Sequence, residues 1–311
     1  MINVTFDLYP SMSARSLIPL GSSRPTMITT DPQLKSVELL TSQSLYSCDV
    51  FSCIYKGAFG EQNEPVAISR LMHLTKPQIK TMQQMVNAFH FSGTLNPYCM
   101  QIKQVLQLDQ EEAYYTCEYA THRSLSEYMS THAITYRQRL EFAQQIASGL
   151  MHLCKQPTVD GISLTSDMCN VYVFQEQDVI RCKIIPSFKK LIQYKYCVWG
   201  DRYRFMDIAP ECFRHIGPGQ CPTDEPSVVY MYGMMIYFLV TGVLPFADFR
   251  SEMCHVSPMG DIFDGNLPII PDTCSDFFKQ LLLRTWAFDP LDRPTFAQLV
   301  TAISAESNLL I

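Results

Sequence analysis

Between residues 37 and about 120, apolar positions alternate with polar ones or gather in short β-branched runs, which is the pattern of strands. DVFSCIYKG (49–57) alternates and ends at a glycine turn, and PVAISRLM (65–72) is a short apolar run. MQIKQVLQL (100–108) and AYYTCEY (113–119) read as two strands joined by an acidic turn at 109–112. One segment breaks this rhythm. From Lys76 to Phe91, Pro77 suits a first helical turn, and Ile79, Met82, Met85, Val86 and Phe89 recur at three- and four-residue spacing. That predicts a single helix inserted among the strands.

From about 124 the period changes to that of helices. Ser124 is placed to cap LSEYMSTH (125–132). YRQRLEFAQQIASGLMHL (136–153) aligns Leu140, Ala143, Ile146, Ala147, Leu150 and Leu153 on one face. Three further helical patterns run from Val228 to Val240, Cys274 to Trp286 and Phe296 to Ser304. The expected architecture is α+β: a small, mainly β N-lobe at about 37–120 with one helix, and a larger, mainly α C-lobe at about 121–306. The connector falls near Glu118 to Arg123. Residues 1–36 mix Ser, Pro, Thr and Met without a period and read as a flexible N-terminal extension.

Composition narrows the function. The 311-residue chain carries a formal charge of −6, which fits nucleic acid poorly. Its 12 cysteines form no CxxC pair and no cluster with histidine at metal-ligand spacing, so reduced thiols are expected and no metal site. The N-terminus lacks a basic stretch before an apolar core. The most apolar run, 228–240, falls short of the roughly 20 residues a membrane span needs. The expectation is a soluble intracellular protein, cytoplasmic, with no membrane span.

Several stretches, in this order, resemble the eukaryotic protein kinase domain. YKG and PVAIS (55–57 and 65–69) are similar to its second and third strands, and YTCEY (115–119) to its fifth strand and hinge, with Cys117 at the gatekeeper position. RSLSEYM (123–129) looks like the helix after the hinge. IAPECF (208–213) carries the APE triplet at Ala209, Pro210 and Glu211. YMYGMMIYFLVTGVLPF (230–246) and RTWAFDPLDRPTF (284–296) resemble the long central helix and the family's CW..DP..RPTF stretch, with Trp286, Asp289, Pro290, Arg293 and Pro294. The resemblance spans about 40–306 and leans to the tyrosine-kinase-like branch, including its degenerate members. It implies a two-lobed kinase-like fold. It also implies that Glu211 and Arg293 form a buried ion pair, a structural role rather than a chemical one.

The same resemblance marks where chemistry would sit. Phosphoryl transfer depends on positioning and charge neutralisation. The three glycines of the phosphate loop fall on Ser47, Asp49 and Ser52, and Asp49 would repel a triphosphate. The strand-three lysine position is Ser69. Arg70 is adjacent, and only a bulge would bring it to the same face. The lysine's partner glutamate falls at or near Ala88, and no Asp or Glu occurs anywhere from 65 to 108. VDGISLTSDMCNVYVF (159–174) has the outline of a catalytic loop leading through Asn170 into a strand, yet Thr165 stands where the base would be. Asp167 is two residues out of register, and a loop-stabilising role suits it better. Pro186 opens the triplet aligned with the metal-binding DFG, and no carboxylate occurs between 179 and 200. Asn170 alone is a weak ligand for a hard dication. The central helix's opening aspartate is replaced by Val228.

These losses point to a pseudokinase with no catalytic residues: Ser69, Ala88, Thr165 and Pro186 occupy degenerate positions. The expected role is a scaffold or allosteric regulator that binds another protein, such as an active kinase. No cofactor is expected. The alternative is nucleotide binding, with ATP held without magnesium near Ala67, Cys117, Glu118, Ala120 and Asn170. A third reading is unconventional kinase activity that uses Arg70, Asp167 and Asn170 in shifted roles. KKLIQYKYCVWGDRYRF (189–205) forms a basic, aromatic stretch on an acidic chain. Lys189, Lys190, Lys195, Trp199, Arg202 and Arg204 are its partner-binding candidates.

Overall fold

The computed structural model describes residues 47–48, 52–59, 64–71, 75–91, 96–107, 113–156, 170–185, 208–214, 224–246 and 266–310. The expected N-terminal extension lies outside them. The first sheet is formed by β1 (Ser47–Cys48), β2 (Ser52–Phe59), β3 (Glu64–Leu71), β4 (Ile102–Gln107) and β5 (Ala113–Glu118). It is antiparallel, in the order β1-β2-β3-β5-β4. The helix α1 (Lys76–Phe91) interrupts it, as the spacing predicts. Gln78 supports its start by accepting from the Thr75 amide at 2.8 Å. Ile79, Met82, Met85 and Val86 form its buried stripe.

The C-lobe begins with α2 (Leu125–Thr131) and α3 (Tyr136–Cys154). Both start with reciprocal caps, Ser124 with Glu127 and Thr135 with Gln138. All six residues expected on the inner face of α3 are buried. A two-stranded hairpin follows, β6 (Val171–Glu176) and β7 (Val179–Ile184). The short α4 (Pro210–Arg214) carries the APE triplet's last two residues. Next comes α5 (Glu225–Thr241), capped by Asp224 and stopped at Gly242, whose φ of 71° is left-handed. The chain closes with α6 (Asp276–Thr285), a 3-10 turn at Pro290–Asp292 and α7 (Phe296–Asn308).

The α5 helix is the axis of the lobe, buried from Ser227 through Leu239. Burying one large apolar side chain contributes roughly 1.5–3 kcal/mol, so this helix draws its stability from tertiary packing. Polar contacts fix its orientation. Tyr232 donates to the Ala143 carbonyl of α3 at 3.0 Å. The α3–α7 seam is set by Tyr136 donating to Glu306 at 2.7 Å and Gln144 donating to Ser304 at 2.9 Å. No described helix is long and apolar enough to cross a membrane.

Candidate functional site

The connector between the lobes is where the sequence-predicted groove residues gather. Cys117 pairs with Ala67 on β3 and with Ile102 on β4, and its thiol lies 3.7 Å from the Ala67 carbonyl. Ala67, Cys117 and Ala120 are all buried. Glu118 ends β5 opposite Val66, and its amide donates to Gln101 at 3.2 Å. The chain then crosses to the C-lobe and pairs with β6. The His122 amide donates to the Val173 carbonyl at 3.0 Å, and the Val173 amide donates back to Arg123 at 2.9 Å. Arg123 holds a left-handed φ of 61°, a conformation that non-glycine residues tolerate at a cost of about 1–2 kcal/mol. The two-sided backbone pairing offsets that cost.

Asn170 sits at the base of the same hairpin. Its carbonyl accepts from Ile185 at 3.0 Å. Three residue steps along the chain, about 10 Å, lead from it to Val173. The segment 96–100 pairs with the end of β7. Met100 donates to the Ile184 carbonyl at 2.8 Å, and Ile184 donates to Tyr98 at 2.9 Å. This segment lies directly on α3 because position 149 is glycine: a Cβ there would stand 2.8 Å from the Tyr98 carbonyl oxygen.

Ser69 occupies the third strand in an unbroken ladder, opposite Ile54 on β2 and Tyr115 on β5. Arg70 follows in register opposite Cys53 and Tyr114. The bulge that would have brought Arg70 to the face of Ser69 is not formed; the sheet's register shift is in β4, between Ile102 and Gln104. Ala88 lies near the end of α1, a helix of 16 residues without one carboxylate. Thr165, Asp167 and Pro186 lie outside the described residues, as do Lys189, Lys190, Lys195, Trp199, Arg202 and Arg204. Val228 is buried in the first turns of α5, which opens three residues before it, at Glu225.

Glu211 and Arg293 meet across the C-lobe. The guanidinium donates from both terminal nitrogens to the two carboxylate oxygens, at 2.6 and 2.8 Å. Its donors also reach the carbonyls of Ala287 at 2.8 Å, Pro226 at 3.0 Å and Phe288 at 3.4 Å. Tyr230 stacks beneath it, 5.0 Å from ring centre to guanidinium carbon. The Arg293 side chain is fully enclosed. A cavity of about 180 Å³ opens beside Pro210, Tyr230, Trp286 and Phe288. It is small against the roughly 300–1,000 Å³ of ordinary ligand pockets, and none of the connector residues lines it.

Sequence reasoning missed Lys183 on β7. Its ammonium lies 3.0 Å from Glu118 and 2.8 Å from Glu176, with the Phe174 ring centre at 4.6 Å. Burial alone would lower its pKa. The two carboxylates more than offset that, and the net shift is upward. The local half of the arrangement was legible, since Lys183 and Glu176 share one hairpin. The partner at position 118 is a long-range contact that no spacing announces.

Cys99, Cys117, Cys154, Cys182, Cys212 and Cys274 carry thiols, not disulfides. Burial pushes the Cys99 thiol up to about 12 and Cys182 well above its ordinary value, so neither is a reactive nucleophile. Among the described residues no group of three His, Cys, Asp or Glu side chains could hold a metal ion.

The sequence profile of the family described as protein tyrosine and serine/threonine kinase matches residues 44–303. The chain belongs to that family, and its lobes, connector and buried Glu–Arg pair form a two-lobed kinase fold. It is 24% identical over 280 residues to human mitogen-activated protein kinase kinase kinase 11, covering 88% of this chain and 32% of that protein. It is 26% identical over 251 residues to mitogen-activated protein kinase kinase kinase 13 of Pongo abelii, covering 79% and 23%. A probable serine/threonine-protein kinase of Dictyostelium discoideum, roco11, is 23% identical over 264 residues, covering 82% and 17%. These relatives are of the tyrosine-kinase-like branch. The chain spans a third or less of the length of each.

Proposed function

We propose that this kinase domain is a pseudokinase, acting as a protein-binding scaffold or allosteric regulator of a signalling partner without phosphotransfer. The observation that carries the reading is the pairing of Ser69 and α1. The strand position from which a lysine would reach the phosphates holds a hydroxyl, in a ladder that leaves no bulge for Arg70. The helix that would supply that lysine's carboxylate partner has none. A cation–carboxylate pair cannot assemble from these elements, and phosphoryl transfer relies on such fixed charges. The sequence adds Thr165 and Pro186 at the base and metal positions and an acid-free stretch from 179 to 200. A single loss can be rescued by a neighbour; several independent losses require several rescues. The binding energy of a kinase fold is then available to bias a partner, with an active kinase as the chemical class of partner best suited to it.

The test is a thermal-shift titration with ATP, with and without Mg²⁺, followed by a labelled-phosphate transfer assay. A ligand present at 100 times its Kd stabilises by about 2.7 kcal/mol, so occupancy is readable as a shift of a few degrees. The expected result is no magnesium-dependent shift at millimolar ATP and no phosphate incorporation. A shift with ATP alone would define the regulator as nucleotide-responsive. A shift that needs Mg²⁺, together with incorporation, would overturn the proposal.

A further inference from the structure

His122 lies in the connector, and His132 closes α2 as its C-terminal cap. Both rings pack on Tyr128, and their own centres are 5.7 Å apart. His122 is half-buried and His132 exposed, so water reaches the pair. Each ring has one nitrogen committed to a carbonyl. His122 Nε2 lies 3.2 Å from Gln175 Oε1. The Gln175 amide is pinned in that orientation, because its Nε2 donates to the Gln177 carbonyl at 3.1 Å. Gln175 Oε1 therefore accepts, and the proton of His122 sits on Nε2. His132 Nδ1 lies 3.2 Å from the Tyr128 carbonyl and 2.8 Å from Thr131 Oγ1. The Thr131 hydroxyl donates its own hydrogen to the same carbonyl at 3.2 Å, so the proton of His132 sits on Nδ1.

What remains on each ring is an unprotonated nitrogen, Nδ1 of His122 and Nε2 of His132. Neither has a hydrogen-bond partner among the described residues. A metal-ligating imidazole is arranged in this way: one nitrogen is bare, and the other donates to a carbonyl that fixes the tautomer and the ring. An ion about 2.0–2.1 Å from each nitrogen holds two ring centres roughly 5 Å apart, slightly closer than this pair stands. We propose that His122 and His132 form a surface site for one borderline divalent ion, Zn²⁺, Ni²⁺ or Cu²⁺, with water in its remaining positions. Two imidazoles suit these ions, whereas Mg²⁺ and Ca²⁺ take oxygen ligands. Binding turns the two bare nitrogens onto the common ion and ties the connector to the end of α2. With only two protein ligands the site is reversible, and folding does not depend on it. Nor does the site depend on whether the domain transfers phosphate. The separation of the two histidines in the chain matches no close ligand spacing, so the sequence does not mark them.

A Zn²⁺ titration of the full chain, followed through the ring-nitrogen NMR resonances of its histidines, tests this. Nδ1 of His122 and Nε2 of His132 should move together along one saturation curve, with His152 unmoved. His122→Ala should weaken Zn²⁺ binding at His132 by roughly tenfold or more, and His132→Ala should do the same at His122, because the second bond no longer forms within the molecule. Gln175→Ala should weaken both together by roughly tenfold, since the carbonyl that orients His122 is lost. The ring resonances read this site alone even where thiols elsewhere take up the ion, and the wild-type titration decides the matter if a variant does not fold. Ring nitrogens that stay unmoved at millimolar Zn²⁺, or that follow two separate curves, would overturn the proposal. So would binding at either ring that is indifferent to loss of the other.

Discussion

Arg293 and Lys183 are both buried against carboxylates, one deep in the C-lobe and the other at its border with the N-lobe. Arg293 presents a planar fork, and every arm of it ends on an acceptor from its own lobe: two oxygens of Glu211 and three backbone carbonyls. Lys183 presents a point charge on a flexible stem, shared between one carboxylate of its own hairpin and one from the neighbouring lobe. The difference follows what each side chain can do. A guanidinium fixes several partners at set angles and suits a corner that never moves; an ammonium keeps its attraction while it swivels and suits a joint. The Glu211–Arg293 corner is the first kind of site, and the Lys183 contact at the lobe border is the second.

The comparison breaks most readily at Arg293. Replacing it with Met leaves Glu211 without its partner and several carbonyls without donors. The expected loss is about 3–5 kcal/mol of global stability, read as a lower urea midpoint, and failure to accumulate as folded protein is consistent with it. Arg293→Lys should recover only part, because charge is restored and the fork is not. If Arg293→Lys instead unfolds at the same urea midpoint as the wild type, charge alone holds the corner.

Lys183→Met should cost far less, about 1 kcal/mol or under, because Glu118 and Glu176 retain 21% and 39% exposure and can be solvated. The pH dependence sharpens this. The folded pKa of Lys183 is raised above 10.5, so its stabilisation is complete below that value and is lost as pH rises through the folded pKa. The gap between wild type and Lys183→Met should therefore stay constant from neutrality to 10.5 and close above it. A gap that is unchanged at higher pH would mean that the lysine's packing on Phe174, not its charge, is what matters.

The smallest effect is expected at His152, in the last turn of α3. Burial, then the charge of Lys155, lowers its pKa below 6.5. Its contribution is thus present above 6.5 and lost as pH falls through the folded value. His152→Gln should flatten the decline of stability in mild acid without changing it at neutral pH. An unaltered acid profile would assign that decline to other groups.

Much of this fold is legible in the chain. The stripe Ile79–Met82–Met85–Val86 fixes α1 at the bounds its spacing predicts, and the strands β2 to β5 around it fall within three residues of their patterns. Where the reading falls short, the residues explain why. The α5 helix begins at Glu225, before the apolar run at 228, because its first turn is specified by the Asp224 cap and Pro226 rather than by period. The α7 helix continues past Ser304 to Asn308 because Glu306 is held by Tyr136, a contact 170 residues away in sequence. Pro210–Arg214 is too short a helix to show a period at all. At the candidate site, the strand and connector positions follow from local pattern, whereas the Lys183–Glu118 pair exists only once two lobes have been built and brought together.

The α5 helix has no side that faces water along its middle: thirteen successive residues, Ser227 to Leu239, are covered by the rest of the C-lobe. A stretch like this cannot be exposed briefly without consequence. Any opening of the lobe large enough to uncover it presents a continuous apolar surface to other chains, and association of opened molecules competes with reclosure. The lifetime of the folded domain at elevated temperature is then governed by the rate of that opening, and heating curves should shift with scan rate and protein concentration.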